Sequence, residues 1–79
     1  MNQTVFTLES LILLKGGYTT LNNFAIENKI PTTMVYDWCR GRHLPNFPWI
    51  IKLASLLSVS EQNIIDAIKN TLVDKGLDK

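Results

Sequence analysis

The sequence predicts an all-α domain of five helices with a helix-turn-helix near its centre. Three observations carry this reading. Apolar residues recur three to four apart throughout, and no segment alternates as a half-buried strand would. Breaks at Gly16-Gly17, Lys29 to Pro31, Gly41 to Pro48 and Ser58 to Ser60 divide the 79 residues into five segments. Two of these segments, over about residues 20–41, are short helical patterns joined by a tight break, with a Gly exit flanked by Arg. That order is the pattern of a helix-turn-helix, whose second helix is carried toward the DNA major groove.

The first helix is expected from about Thr4 to Lys15, stopping at Gly16-Gly17 as a C-cap, with Val5, Leu8, Leu11 and Ile12 as one stripe. Phe6 and Leu13 fall on a second stripe. Thr20 precedes the second helix as an N-cap, with Phe24, Ala25 and Leu21 facing inward. The third helix spans about Thr32 to Arg40. The fourth opens after Asn46, tolerates Pro48 in its first turn and runs to about Leu57. Its apolar arc (Phe47, Trp49, Ile50, Ile51, Leu53, Ala54, Leu56, Leu57) covers more than half the circumference, which reads as a central helix. Ser60 caps the fifth, where Ile64, Ile65, Ile68 and Leu72 form a single stripe.

Length and composition bound the class. Residues 1–79 make one domain with an ordinary 46% hydrophobic fraction, close to the lower limit for a self-supporting core. One Cys (Cys39) and one His (His43) supply neither a disulfide nor a zinc site of four protein ligands, so no metal is expected. No apolar run approaches the length of a membrane span, and the N-terminus lacks the pattern of a signal peptide, so the expectation is a cytoplasmic protein without a membrane partner. No paired carboxylates or nucleophile–base set point to an enzyme. The net charge of +1 is low for a nucleic-acid binder, but its distribution is uneven. From Lys15 to Lys52 the chain has Lys15, Lys29, Arg40, Arg42 and Lys52 against Glu27 and Asp37, while the segments on either side are slightly acidic. A basic middle suits a domain with one phosphate-facing side.

The third helix divides into two faces. With Thr32 at 0°, Thr32, Tyr36, Arg40, Thr33 and Asp37 fall between roughly 0° and 140°, and Met34, Trp38, Val35 and Cys39 between roughly 200° and 340°. A helix this short holds only by clamping its apolar face on the domain, which leaves Thr32, Thr33, Tyr36 and Asp37 presented outward. A recognition helix needs that geometry, and any amphipathic surface helix shares it.

At this point the sequence resembles the Cro/C1-type, or Xre, family of lambda-repressor-like helix-turn-helix domains. The matching residues are Phe24-Ala25, Ile30 after the turn, Val35 and Trp38, Gly41 with Pro45, and then Leu53-Ala54, Leu57, Val59-Ser60 and Ile64. They cover about residues 8–65. The resemblance implies a five-helix lambda-repressor-like bundle that binds double-stranded DNA sequence-specifically as a transcription regulator. It implies a repressor without a cofactor, acting as a homodimer on a palindromic operator, encoded by a bacterium or phage and resident on the nucleoid when bound. An antitoxin paired with a toxin or other regulatory protein, or an interaction module on the same fold, is the alternative.

By position, Thr32, Thr33, Tyr36 and Asp37 correspond to the base-reading face. Thr offers a methyl to thymine and a hydroxyl to either kind of edge, and Asp accepts from cytosine N4. Arg40, Arg42, His43 and Lys29 correspond to phosphate anchors, and Thr20 and Asn22 to a phosphate site at the start of the second helix. The plainer roles are an N-cap for Thr20, a solvated surface for Asn22 and a helix-dipole partner for Arg40. Two positions depart from the family pattern. Lys29 stands where Gly is usual in the turn, with Asn28 able to shift the break by one. Pro31 stands where a Ser or Thr cap is usual, which would slip the cap to Thr32 and consume its hydroxyl.

Overall fold

The computed structural model describes residues 6–74, and these form five helices and no strand, an all-α bundle. Helix α1 begins at Leu8, not at Thr4. Thr7 is extended (φ −77°, ψ 170°) and its hydroxyl oxygen accepts from the Ser10 N–H, which starts the helix there. Thr4 and Val5 lie outside the described residues. After an α-helical turn at Leu8–Ser10 the backbone continues, without leaving helical dihedrals, as a π-helical segment, Leu11–Lys15. The Gly16 N–H reaches the Leu11 carbonyl, five residues back. Leu8, Leu11 and Ile12 are buried as the stripe requires, while Leu14 is exposed.

The two glycines that end α1 serve different needs. A Cβ on Gly16 would stand 2.7 Å from Leu57 Cδ2 and 2.9 Å from Tyr18 Cδ2, so a larger residue here would have to displace those two side chains. Gly17 has open space around it but a φ of +75°, which turns the chain toward the next helix.

Helices α2 (Leu21–Glu27), α3 (Thr32–Arg40) and α4 (Phe47–Leu57) share one kind of terminus. In each, a left-handed residue follows the last turn, and two backbone bonds close a Schellman motif. For α2 the left-handed residue is Lys29 (φ 57°), with Ile30 N donating to Ala25 O at 2.9 Å and Lys29 N to Ile26 O at 3.2 Å. For α3 it is Gly41, with Arg42 N on Asp37 O at 3.0 Å and Gly41 N on Trp38 O at 3.3 Å. For α4 it is Ser58 (φ 56°), with Val59 N on Ala54 O at 3.0 Å. Lys29 therefore takes the strained conformation itself, at a cost of about 1–2 kcal/mol. Asn28 does not take it over; its side chain donates to Phe24 O and Tyr18 Oη instead.

Helix α5 (Glu61–Asp74) follows the Ser60 cap, whose hydroxyl accepts from Asn63 N at 3.1 Å. Its buried side is Ile64, Ala67, Ile68 and Thr71, with Ile65 and Leu72 only half-buried. Thr71 explains the difference from a purely apolar stripe. Its hydroxyl donates to Ala67 O and accepts from Leu8 N, both at 2.8 Å, so a buried polar residue stitches the start of α1 to the last described helix. Asn70 Nδ2 adds a bond to Phe6 O at 3.0 Å. Phe6, which precedes α1, and Leu13 do not form a stripe on one helix, and both pack half-buried against the chain's own core.

Helix α4 is not central. It buries Leu53, Ala54 and Leu57, while Phe47 and Ile51 remain exposed and Trp49, Ile50 and Leu56 are half-buried. The centre of the core is shared by Leu8, Ile12, Phe24, Val35, Leu53 and Ile64, one or two from each helix. Neighbours cover one side of α4, and of its wide apolar arc Phe47 and Ile51 are left exposed.

Candidate nucleic-acid interface

Helix α3 is held by its inner side. Val35, Trp38 and Cys39 are buried, and the Trp38 indole meets Trp49 of α4 edge-on with ring centroids 5.2 Å apart. Trp38 is 3% exposed, which leaves no face for base stacking and makes it a packing residue. On the opposite side Thr33 and Arg40 are exposed, and Thr32, Tyr36 and Asp37 are half-buried. These five side chains share one helix face, as their spacing dictates.

The start of α3 differs from the expected slipped cap. Pro31 itself occupies the cap position with φ −56° and ψ 129°, and makes no side-chain cap bond. Its carbonyl accepts from Met34 N at 3.1 Å and Val35 N at 3.2 Å. Proline's fixed φ suits this place, and the Thr32 hydroxyl is not consumed in capping.

Arg40 lies over the Tyr36 ring, guanidinium carbon to centroid 5.4 Å. The two are four residues apart, one turn along the same face. The ring lays the guanidinium along the outer side of α3, so Arg40 belongs to that face rather than only to the helix end. Gly41 then reverses the chain. Arg42 N and His43 N both donate to Asp37 O, at 3.0 and 3.4 Å, and this brings exposed Arg42 and His43 back beside the last turn. Lys29 is exposed at the other end, in the turn that leads into α3.

Thr20 and Asn22 are less closely joined to this group. The Thr20 hydroxyl accepts from Asn23 N at 3.0 Å and so acts as the α2 cap; Asn22 is exposed. Among the described residues no hydrogen bond or ring contact ties either one to α3.

A groove of about 400 Å³ runs beside α3, with Thr33, Met34 and Asp37 on one wall and His43, Leu44 and Asn46 on the other. The two Trp rings also line it. No periodicity could have revealed it, because one wall is the irregular connection from α3 to α4. The Tyr36–Arg40 stack, by contrast, is visible in the spacing of four. Within the described residues no three His, Cys, Asp or Glu gather where they could hold a metal ion. No described helix is long and apolar enough to cross a membrane.

Chemically, this surface offers two threonine hydroxyls, a phenol, a carboxylate and two guanidiniums, with one imidazole beside them. Hydroxyls and a carboxylate discriminate the edges of base pairs, and the cations hold a polyanion. Comparison of the chain with protein-family models, with curated proteins and with solved structures finds no match.

Proposed function

We propose that this protein is a sequence-specific double-stranded DNA-binding transcription regulator of the Xre, lambda-repressor-like kind. It acts as a repressor on an operator, as a homodimer in the cytoplasm of a bacterium or a phage host. The observation that carries the reading is the two-sided α3. It is clamped by Val35, Trp38 and Cys39, and it turns Thr33, Tyr36, Asp37 and a ring-supported Arg40 outward. In the bound state α3 lies in the major groove, where Thr32, Thr33 and Asp37 meet base edges. Arg40 and Arg42 meet phosphates on its flank, with His43 and Lys29 further out. The set has no Gln, Asn or Arg at the start of α3, so each copy discriminates weakly and two copies are needed for a useful site.

Selection of duplexes from a random library, followed by gel shift of the recovered sequence against random competitor, tests this. A recovered motif that resists a large excess of random DNA supports the regulator. Failure to shift any duplex at low salt removes it and leaves the interaction module, which the exposed apolar side chains Leu44 and Phe47 favour.

A further inference from the structure

Asp37 stands apart from the other carboxylates of the described chain. Glu9, Glu27, Glu61, Asp66 and Asp74 are all exposed, whereas Asp37 is half-buried. Among the described residues no hydrogen bond or ion pair engages its side chain. Withdrawing a carboxylate from water without a partner is costly, and a cation or donor that reaches it offsets that cost. In the free chain this carboxylate lines the groove of about 400 Å³ between α3 and the connection to α4.

The rest of the groove narrows the chemistry it can take. Its volume falls in the range that holds a small organic molecule. Met34, Leu44 and Trp49 give it an apolar side. The Asn46 Oδ1 accepts from Trp49 N at 3.2 Å, which leaves the amide NH2 for a ligand acceptor. The basic side chains nearby do not fill the space. Neither Arg40 nor Arg42 lines the groove, Arg40 lies over Tyr36, and the Lys52 amine sits 5.1 Å from the Trp49 ring centroid. An anion would meet the Asp37 charge, and a purely apolar molecule would leave it unpaired. An amine with a flat apolar body and an oxygen at its far end answers all three groups. Its ammonium pairs with Asp37, its body lies against Leu44 and Trp49, and its oxygen accepts from Asn46.

We propose that this groove binds a small arylalkyl amine of that kind, and that an amine seated there takes Asp37 away from the DNA. The site stands on the groove alone; the competition rests on the DNA-binding reading. A carboxylate held by an ammonium is not available to cytosine N4, and the occupant lies against the wall that carries Thr33. By linkage, the amine and the selected duplex weaken each other by the same factor.

The test uses the full chain with tyramine, and with hydroxyphenylpropionate, which carries a carboxylate in place of the amine, as the charge-reversed control. The chain has two Trp and both line the groove, so the indole N–H signals of the labelled protein report on it directly. Tyramine should shift them, Trp49 most, and saturate at or below about 1 mM. Hydroxyphenylpropionate should bind at least about tenfold more weakly. Asp37→Asn keeps the shape and should weaken tyramine about tenfold. Leu44→Ser alters a side chain that is 50% exposed and should weaken it about threefold. Anisotropy should show saturating tyramine lowering wild-type affinity for the selected duplex by at least about fivefold. Indole signals that stay in place, that answer equally to the carboxylate, or that respond undiminished in Asp37→Asn would overturn the site. Duplex affinity untouched by saturating tyramine would overturn the competition. A chain whose indoles answer to tyramine but which binds no duplex would overturn the DNA reading and support the amine site.

Discussion

The stack of Arg40 on Tyr36 makes a prediction that separates two roles for the tyrosine. If the ring holds the guanidinium toward a phosphate, Tyr36→Phe keeps the ring and leaves affinity nearly unchanged. Tyr36→Leu frees Arg40, which must then be ordered on binding. At 5.4 Å from a half-buried ring the contact contributes about 0.5–1 kcal/mol, because Arg40 is exposed and the lower part of the scale applies. The entropy of fixing a long side chain is of the same size, about 0.5–1.5 kcal/mol. Tyr36→Leu should therefore weaken binding by about two- to fivefold, on selected and random duplexes alike. Arg40→Ala removes the contact and should lower the slope of log K against log salt by about 0.9. Fluorescence anisotropy at four or five salt concentrations reads both quantities. Should Tyr36→Phe lose as much as Tyr36→Leu, and lose it only on the selected duplex, the hydroxyl reads a base and the holding role is wrong. An Arg40→Ala slope equal to that of the wild type would remove Arg40 from the phosphate contacts.

Other substitutions probe the scaffold. Trp38→Ala empties the seam against Trp49 and should cost about 3–5 kcal/mol, enough to unfold so small a domain, which a circular dichroism melt would show. Thr71→Val keeps the shape but strands the buried Leu8 N–H, and chemical denaturation should read a loss of about 1–3 kcal/mol. Lys29→Gly should move two observables in opposite directions. Relief of the left-handed strain at φ 57° raises stability by up to about 1 kcal/mol, while the salt slope falls by about 0.9 if the amine meets a phosphate. A lower melting temperature in that variant would show that the Lys29 side chain contributes more than its backbone costs.

Much of this arrangement is legible in the sequence because it is local. Thr20 and Ser60 cap the helices they were expected to cap, and Gly41 ends α3. The apolar side of α3 follows from spacing alone, and Lys29 takes the left-handed conformation that a Gly would otherwise supply in this turn. What the spacing does not contain is longer in range. The late start of α1 depends on whether Thr7 caps, and its π-helical turn has no signature in the spacing of apolar residues. Thr71 looks like a surface residue until Leu8 N is placed against it. The wide apolar arc of α4 fits a central helix and equally a surface helix with a partner-facing side; only the packing of the other four decides. For the same reason the groove beside Thr33 and Asp37 has no sequence signature, since its second wall is a loop.

The central claim is that the outer face of α3 meets the DNA. A heteronuclear NMR titration of the labelled chain with the selected duplex tests it most directly. The account predicts that the largest amide and side-chain shifts fall on residues 29–43, with Thr33, Tyr36, Asp37 and Arg40 foremost, while the α5 amides from Ile64 to Thr71 stay in place. Shifts centred on α5, or a pattern identical for selected and scrambled duplexes, would contradict it.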